Sequence, residues 1–174
     1  MENEKKTTNK KLSIQKLCLA AVFMALTCMA TAYIQIPIPL GYAHLGDCII
    51  LIATYICGPL VGVLAGGIGS AMADIITGFA IWALPTFIIK TIMPIIAYYL
   101  FKKKQITIGA VASLLFMVLG YVIAGCILYG SVATGLTQTP GLLLKSLVNF
   151  VIFRVVALGA KKSGLKAYVA KFIG

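Results

Sequence analysis

Six apolar runs follow one another along this chain with only short breaks between them. They cover about residues 12–36, 45–57, 60–77, 86–101, 106–129 and 141–158. A helix rises about 1.5 Å per residue, so about 20 apolar residues cross a hydrocarbon core about 30 Å thick. The second run is short for this, and needs buried ends or a locally thinned bilayer. Composition agrees: 61% of residues are hydrophobic and 11% charged, whereas a soluble domain holds about 25% charged residues. The expected fold is all-α integral membrane, a six-transmembrane-helix bundle over residues 12–174 behind a basic cytoplasmic tail at 1–11. A chain of 174 residues leaves no room for an ATPase beside these spans.

The net charge of +11 suggests nucleic acid until its placement is considered. Lys5, Lys6, Lys10 and Lys11 precede the first run and Lys16 stands near its start, Lys102, Lys103 and Lys104 share one loop, and Lys161, Lys162, Lys166 and Lys171 lie near the C-terminus. Clusters that flank apolar runs are the positive-inside signature, and they stand where anionic lipid headgroups lie. No basic face on a soluble fold remains, so no nucleic-acid partner is expected. Six spans put both termini on one side with the 102–104 loop, and the lysines make that side the cytoplasm. The chain is then a multi-pass protein of the bacterial plasma membrane. The loops at 42–44, 79–84 and 131–139 face outward and contain no Lys or Arg.

Local signals refine the spans. The basic start, apolar stretch and Ala30-Thr31-Ala32 also fit a secretory signal, but the apolar run continues through Tyr33, Ile34 and Ile36 and further spans follow. Pro37-Ile38-Pro39-Leu40-Gly41 ends the first helix, and Gly58-Pro59 makes a tight turn. Gly62, Gly66 and Ser70 recur at four-residue spacing, a pattern that lets helix backbones approach closely in lipid. Asp74 continues that series and so faces neighbouring helices or a cavity. Residues 78–85 read as a turn with Trp82 at an interface. Residues 130–139 read as a polar loop, after which Pro140 starts the last helix. No internal repeat is visible, so an inverted-repeat transporter is not supported.

Ionisable groups are costly inside a bilayer and mark cavities, partners or substrates. Asp47, Asp74, Lys90 and Lys145 are such groups, and His44 and Asn149 accompany them. On the six-span topology all six fall in the outer half, whereas Arg154 falls near the cytoplasm, where it can snorkel. Each also has a plainer reading. Asp47 suits a helix cap, Asp74 and Lys90 suit a structural ion pair, and Lys145 suits outward snorkelling. His44 suits an ordinary loop, and Tyr42 and Trp82 suit interface anchors. The five cysteines lie scattered in apolar runs without a CxxC, and with one His they form no zinc-type set. No HExxH, GxSxG or GxxxxGK[ST] pattern occurs, so neither an enzyme nor a cofactor is expected.

Tyr42-Ala43-His44-Leu45-Gly46-Asp47, then Gly58-Pro59, then Gly66-Gly67-Ile68-Gly69-Ser70-Ala71-Met72-Ala73-Asp74, resembles the substrate-binding S components of energy-coupling-factor (ECF) vitamin transporters. Gly78, Trp82, Pro85-Thr86-Phe87 and Ile89-Lys90 extend the likeness. It is closest to the branch named for riboflavin, which also holds hydroxymethylpyrimidine and pyridoxine carriers. It covers about residues 12–101, and the last two spans match in hydropathy and length alone. The resemblance implies six helices and a vitamin site near the outer face, capped by the loop between the first two helices. It also implies a partner module of one membrane coupling protein and two cytoplasmic ATPases. Ala21 and Ala25 match the family's AxxxA docking surface on the first helix. Substrate-site candidates are Tyr42, His44, Asp47, Asp74, Trp82, Lys90, Lys145 and Asn149. The count of polar groups favours a small ring such as pyridoxine or hydroxymethylpyrimidine over riboflavin. A stand-alone proton-coupled carrier and a ligand-free structural subunit are the other classes.

Overall fold

The computed structural model describes residues 14–38 and 41–173. The expected 1–11 tail, its lysines, and Pro39 and Leu40 lie outside the described residues. Helix α1 covers Ile14–Ala32, and a two-stranded antiparallel hairpin follows, β1 Ile36–Ile38 and β2 Gly41–Ala43. Its register pairs Ile36 with Ala43 and Pro37 with Tyr42. Then come α2 (Gly46–Cys57), α3 (Pro59–Leu64), a π-helical turn (Ala65–Gly69) and α4 (Ser70–Ile76). The rest of the chain is α5 (Ala80–Lys102), α6 (Ile106–Tyr129), α7 (Val132–Thr137), α8 (Thr139–Lys162) and α9 (Leu165–Phe172). The α3, π and α4 segments form one continuous third span, Pro59–Ile76. Among the described residues five helices are long and apolar enough to cross a membrane, and the sixth apolar helix, Gly46–Cys57, is shorter.

Apolar side chains cover the outside of the bundle because lipid, not water, is their solvent. Leu119, Ile127 and Val155 are more than 60% exposed, and such residues are at home in hydrocarbon. The packed interior is made of Leu51, Tyr55, Met93, Ala97, Met117 and Phe153 from α2, α5, α6 and α8. The glycine series works as its spacing implies. A side chain at Gly69 would meet the Met24 carbonyl oxygen of α1 at 2.7 Å, so only glycine allows that approach. A side chain at Gly66 would collide with the Lys90 carbonyl. Pro94, inside α5, has no N–H to offer that carbonyl four residues back. The π-helical turn thus packs against a deliberate gap in the α5 ladder.

Three local expectations are corrected. The first helix stops at Ala32 and the chain folds back as the hairpin, where an apolar run to 36 was expected. The turn between the third and fourth spans is confined to Thr77, Gly78 and Phe79, since α5 begins at Ala80. Trp82 is therefore a helical residue, buried at 5% exposure rather than anchored at an interface. Residues 132–137 form a helix, capped by the Ser131 hydroxyl accepting from the Thr134 amide at 3.3 Å. Pro140 stands in the first turn of α8, as expected.

Candidate functional site

Eight side chains nominated from sequence converge at one end of the bundle, below the hairpin. Their centre is Asp47, fully buried in the first turn of α2. Its Oδ1 accepts from Lys90 Nζ of α5, and its Oδ2 lies 3.2 Å from Lys145 Nζ of α8. Asp47 is thus no helix cap, and Lys90 pairs with Asp47 rather than with Asp74. Nor does Lys145 snorkel: it is 4% exposed and its Nζ also lies 3.0 Å from His44 Nε2. Both ammonium groups stand 5.5 Å from the centroid of the Tyr121 ring, within the range of a cation–π contact.

Asn149 of α8 ties the start of α2 in place. Its Oδ1 accepts from the Cys48 amide at 2.8 Å, and its Nδ2 donates to the His44 and Lys145 carbonyls at 2.9 Å each. The first of these bonds satisfies one of the N–H groups that an uncapped helix start leaves open. His44 is buried, not an ordinary loop residue. Its Nδ1 accepts from the Gly46 amide at 3.0 Å and lies 3.3 Å from Thr31 Oγ1. Burial, and then the Lys145 ammonium, push the His44 imidazole well below its ordinary pKa, so it is neutral at physiological pH.

Above this centre lies a cavity of about 40 Å³, lined by Tyr42, His44, Asp74, Trp82 and Lys145 among the nominated residues. Asp47, Lys90 and Asn149 lie beneath it and do not line it. Tyr42, on β2, donates to Asp74 Oδ1 at 2.8 Å and packs on Phe79 at 5.1 Å between ring centroids. Burial, with the Asp74 carboxylate adding to it, holds the Tyr42 phenol above its ordinary pKa, so it remains a donor. Two buried polar atoms at the wall are left over. Asp74 Oδ2, beside Thr86, has no hydrogen bond of ordinary geometry among the described residues, and neither has Trp82 Nε1.

Sequence reading missed four polar or aromatic wall residues: Phe79, Thr86, Tyr121 and Gln138. Thr86 Oγ1 lies 3.0 Å from the Tyr121 hydroxyl, and Gln138 donates to the Tyr121 carbonyl at 2.9 Å. Thr86 and Tyr121 are themselves uncharged residues within apolar runs, so nothing in their own chemistry announced them. Gln138 was visible as the one amide just before Pro140.

Apolar helices around a buried polar centre, closed at one end by a hairpin, define a membrane solute-binding bundle. The fold is shared with the solved S component of a bacterial ECF transporter, at a TM-score of 0.71 and 19% identity over 86% of this chain and 96% of that one. An uncharacterized protein encoded in the gap 3' region of Pyrococcus woesei is 42% identical over 108 residues, which are 59% of this chain and 72% of that protein. The family model for the S component of the ECF-type riboflavin transporter matches residues 11–162. The chain belongs to this family. It is a multi-pass membrane protein and the substrate-binding subunit of an ECF-type importer, and the family is one of transporter components, not enzymes.

Proposed function

We propose that the chain captures a small B-type vitamin or precursor, of the pyridoxine or hydroxymethylpyrimidine type, at the outer face. The observation that carries this reading is the pair of buried atoms at the cavity wall without a hydrogen bond of ordinary geometry among the described residues, the acceptor Asp74 Oδ2 and the donor Trp82 Nε1. Leaving such a group unpaired costs about 1–3 kcal/mol, so a ligand that supplies a hydroxyl donor and a ring-nitrogen acceptor recovers both. The aromatic walls of Tyr42, Phe79, Trp82 and Tyr121 suit a flat ring. The space of about 40 Å³ holds a few waters at most. The ligand therefore enters by displacing the outer cover, which Tyr42 and Phe79 provide.

The importer reading adds partners and an orientation. Lys102, Lys103, Lys104, Lys161 and Lys162 stand at one end of the bundle and the Asp47 centre at the other, which supports cytoplasmic termini in the plasma membrane. Ala21 and Ala25 are exposed on α1, flanked by exposed Leu17, Val22 and Met29. This small-residue face suits close docking of a membrane coupling protein, which two cytoplasmic ATPases would drive.

The second reading is riboflavin, favoured by the description of the family. Its tricyclic ring needs a larger opening of the cover than a single ring does. Mass spectrometry of the small molecule that co-purifies with the chain, followed by calorimetric titration with pyridoxine, hydroxymethylpyrimidine and riboflavin, decides between them. Tight binding of riboflavin with none of the small rings would overturn the first reading.

A further inference from the structure

A second cavity, far from the outer site, opens at the other end of the bundle. It measures about 540 Å³ and lies between the start of α1, the α2–α3 turn, the end of α5 and α9. Lys16, Lys102 and Lys166 line it, each from a different helix. Lys166 is fixed in place: its Nζ stands 4.2 Å over the centroid of the Tyr55 ring, and that ring packs edge-on against Phe101 and Phe153. The helix that carries Lys166 is itself seated, with Ile173 buried just after it and Val169 against the apolar cluster of α1, α2 and α3. Among the described residues no carboxylate balances these three cations. Among the described residues the acidic side chains are Asp47 and Asp74, and both stand at the opposite end.

Between the lysines the walls are apolar, with Ile56, Leu60, Phe101 and Ile173 among them. Leu60 is exposed on the outside of the bundle, so the cavity reaches the lipid-facing surface. Tyr168 and Phe172, on the exposed side of α9, are the amphipathic residues that settle at headgroup depth. An occupant has to be anionic at one end and apolar at the other, and it has to arrive from the bilayer.

We propose that this cavity is a binding site for an anionic phospholipid, its phosphate held by Lys16, Lys102 and Lys166 and its glycerol and upper acyl chains lying along Ile56 and Leu60. Free phosphate shares the headgroup chemistry but leaves the apolar wall uncovered. The proposal places the site in the inner leaflet on the orientation given above. The test does not depend on that orientation, because a nanodisc offers the same lipid in both leaflets.

The experiment compares the full chain in discs of phosphatidylcholine and of phosphatidylcholine doped with phosphatidylglycerol, and counts retained lipids by native mass spectrometry. The wild type is expected to retain one phosphatidylglycerol at least about ten-fold over phosphatidylcholine, since each basic residue close to the headgroup contributes about five-fold, an attraction that falls off within a Debye length. The variant Lys16→Gln/Lys102→Gln/Lys166→Gln should lose that preference. The variant Lys103→Gln/Lys162→Gln/Lys171→Gln, with the same loss of charge away from the cavity, should keep it within about two-fold. Equal loss in both variants would reduce the effect to general surface charge and overturn the site. So would equal retention of the two lipids by the wild type. A melting temperature raised by inorganic phosphate in the wild type alone, without lipid preference, would assign the cavity to a free anion instead.

Discussion

Asp47 answers two cations, and this sets up an unequal pair of mutations. Asp47→Asn removes the carboxylate that pairs with both Lys90 and Lys145 and leaves two buried ammonium groups without a paired carboxylate. Breaking one buried pair this way costs about 3–5 kcal/mol. A chain of this size shifts its melting temperature by about 2–4 °C per kcal/mol, so a fall of about 6–20 °C is expected. Lys90→Met removes a charge instead of stranding one. Asp47 keeps Lys145 at 3.2 Å, and the expected fall is less than half as large. The double variant Asp47→Asn/Lys90→Met strands one ammonium rather than two, so it should melt above Asp47→Asn alone. The chain carries a single tryptophan, Trp82, packed 5.9 Å from Tyr121 and 6.1 Å from Tyr129. Its emission during a thermal ramp in detergent reports the region directly. A double variant whose loss is the sum of the two single losses, or a Lys90→Met more harmful than Asp47→Asn, would refute the pairing.

Other outcomes follow from the same geometry. His44 is held neutral when folded but takes up a proton near its ordinary value of 6.5 when unfolded; stability is therefore flat above about pH 7 and falls below pH 6.5, a slope that His44→Gln should flatten in melting curves. Ala21→Leu and Ala25→Leu should leave vitamin affinity intact by calorimetry and abolish uptake in cells carrying the partner module; equal loss of both would place this face in the site or the fold. Gly69→Ala puts a methyl 2.7 Å from the Met24 carbonyl and should cost about 1–3 kcal/mol of stability, whereas Gly159→Ala, with open space around it, should melt no lower than wild type. Asp74→Asn should weaken ligand binding about five- to 150-fold with a smaller melting shift than Asp47→Asn.

Much of the architecture was legible because the bilayer leaves few alternatives. Apolar length located five long helices and one short one, and the four-residue small series correctly turned Asp74 inward. The charges avoid lipid, as their cost predicts: Asp47, Asp74, Lys90 and Lys145 are all buried at one end. Their pairing was not legible. Asp74 and Lys90 are near neighbours in sequence, yet the packing of α2 against α5 hands Lys90 to Asp47, 43 residues away. Spacing along a chain tells which face of a helix turns inward but not which helix that face meets. The hairpin hid for a related reason: Ile36, Pro37 and Ile38 are apolar, and only their pairing with Gly41, Tyr42 and Ala43 makes them strand. Thr86 and Tyr121 stayed hidden because an uncharged polar residue in an apolar span is ordinary in membrane helices.

Helix α2 has 12 residues, so it is about 18 Å long. A hydrocarbon core of about 30 Å leaves about 12 Å to be made up at its ends, by the hairpin on one side and α9 on the other. If α2 is centred in that core, the Asp47 centre at its first turn lies within the electrical thickness of the membrane and not above it. A solute with net charge would then move through part of the transmembrane voltage in reaching the cavity above that centre, and a full crossing is worth about 2.3 kcal/mol per charge at 100 mV. A neutral solute makes the same approach with no electrical work, so its capture is indifferent to the energised state of the cell.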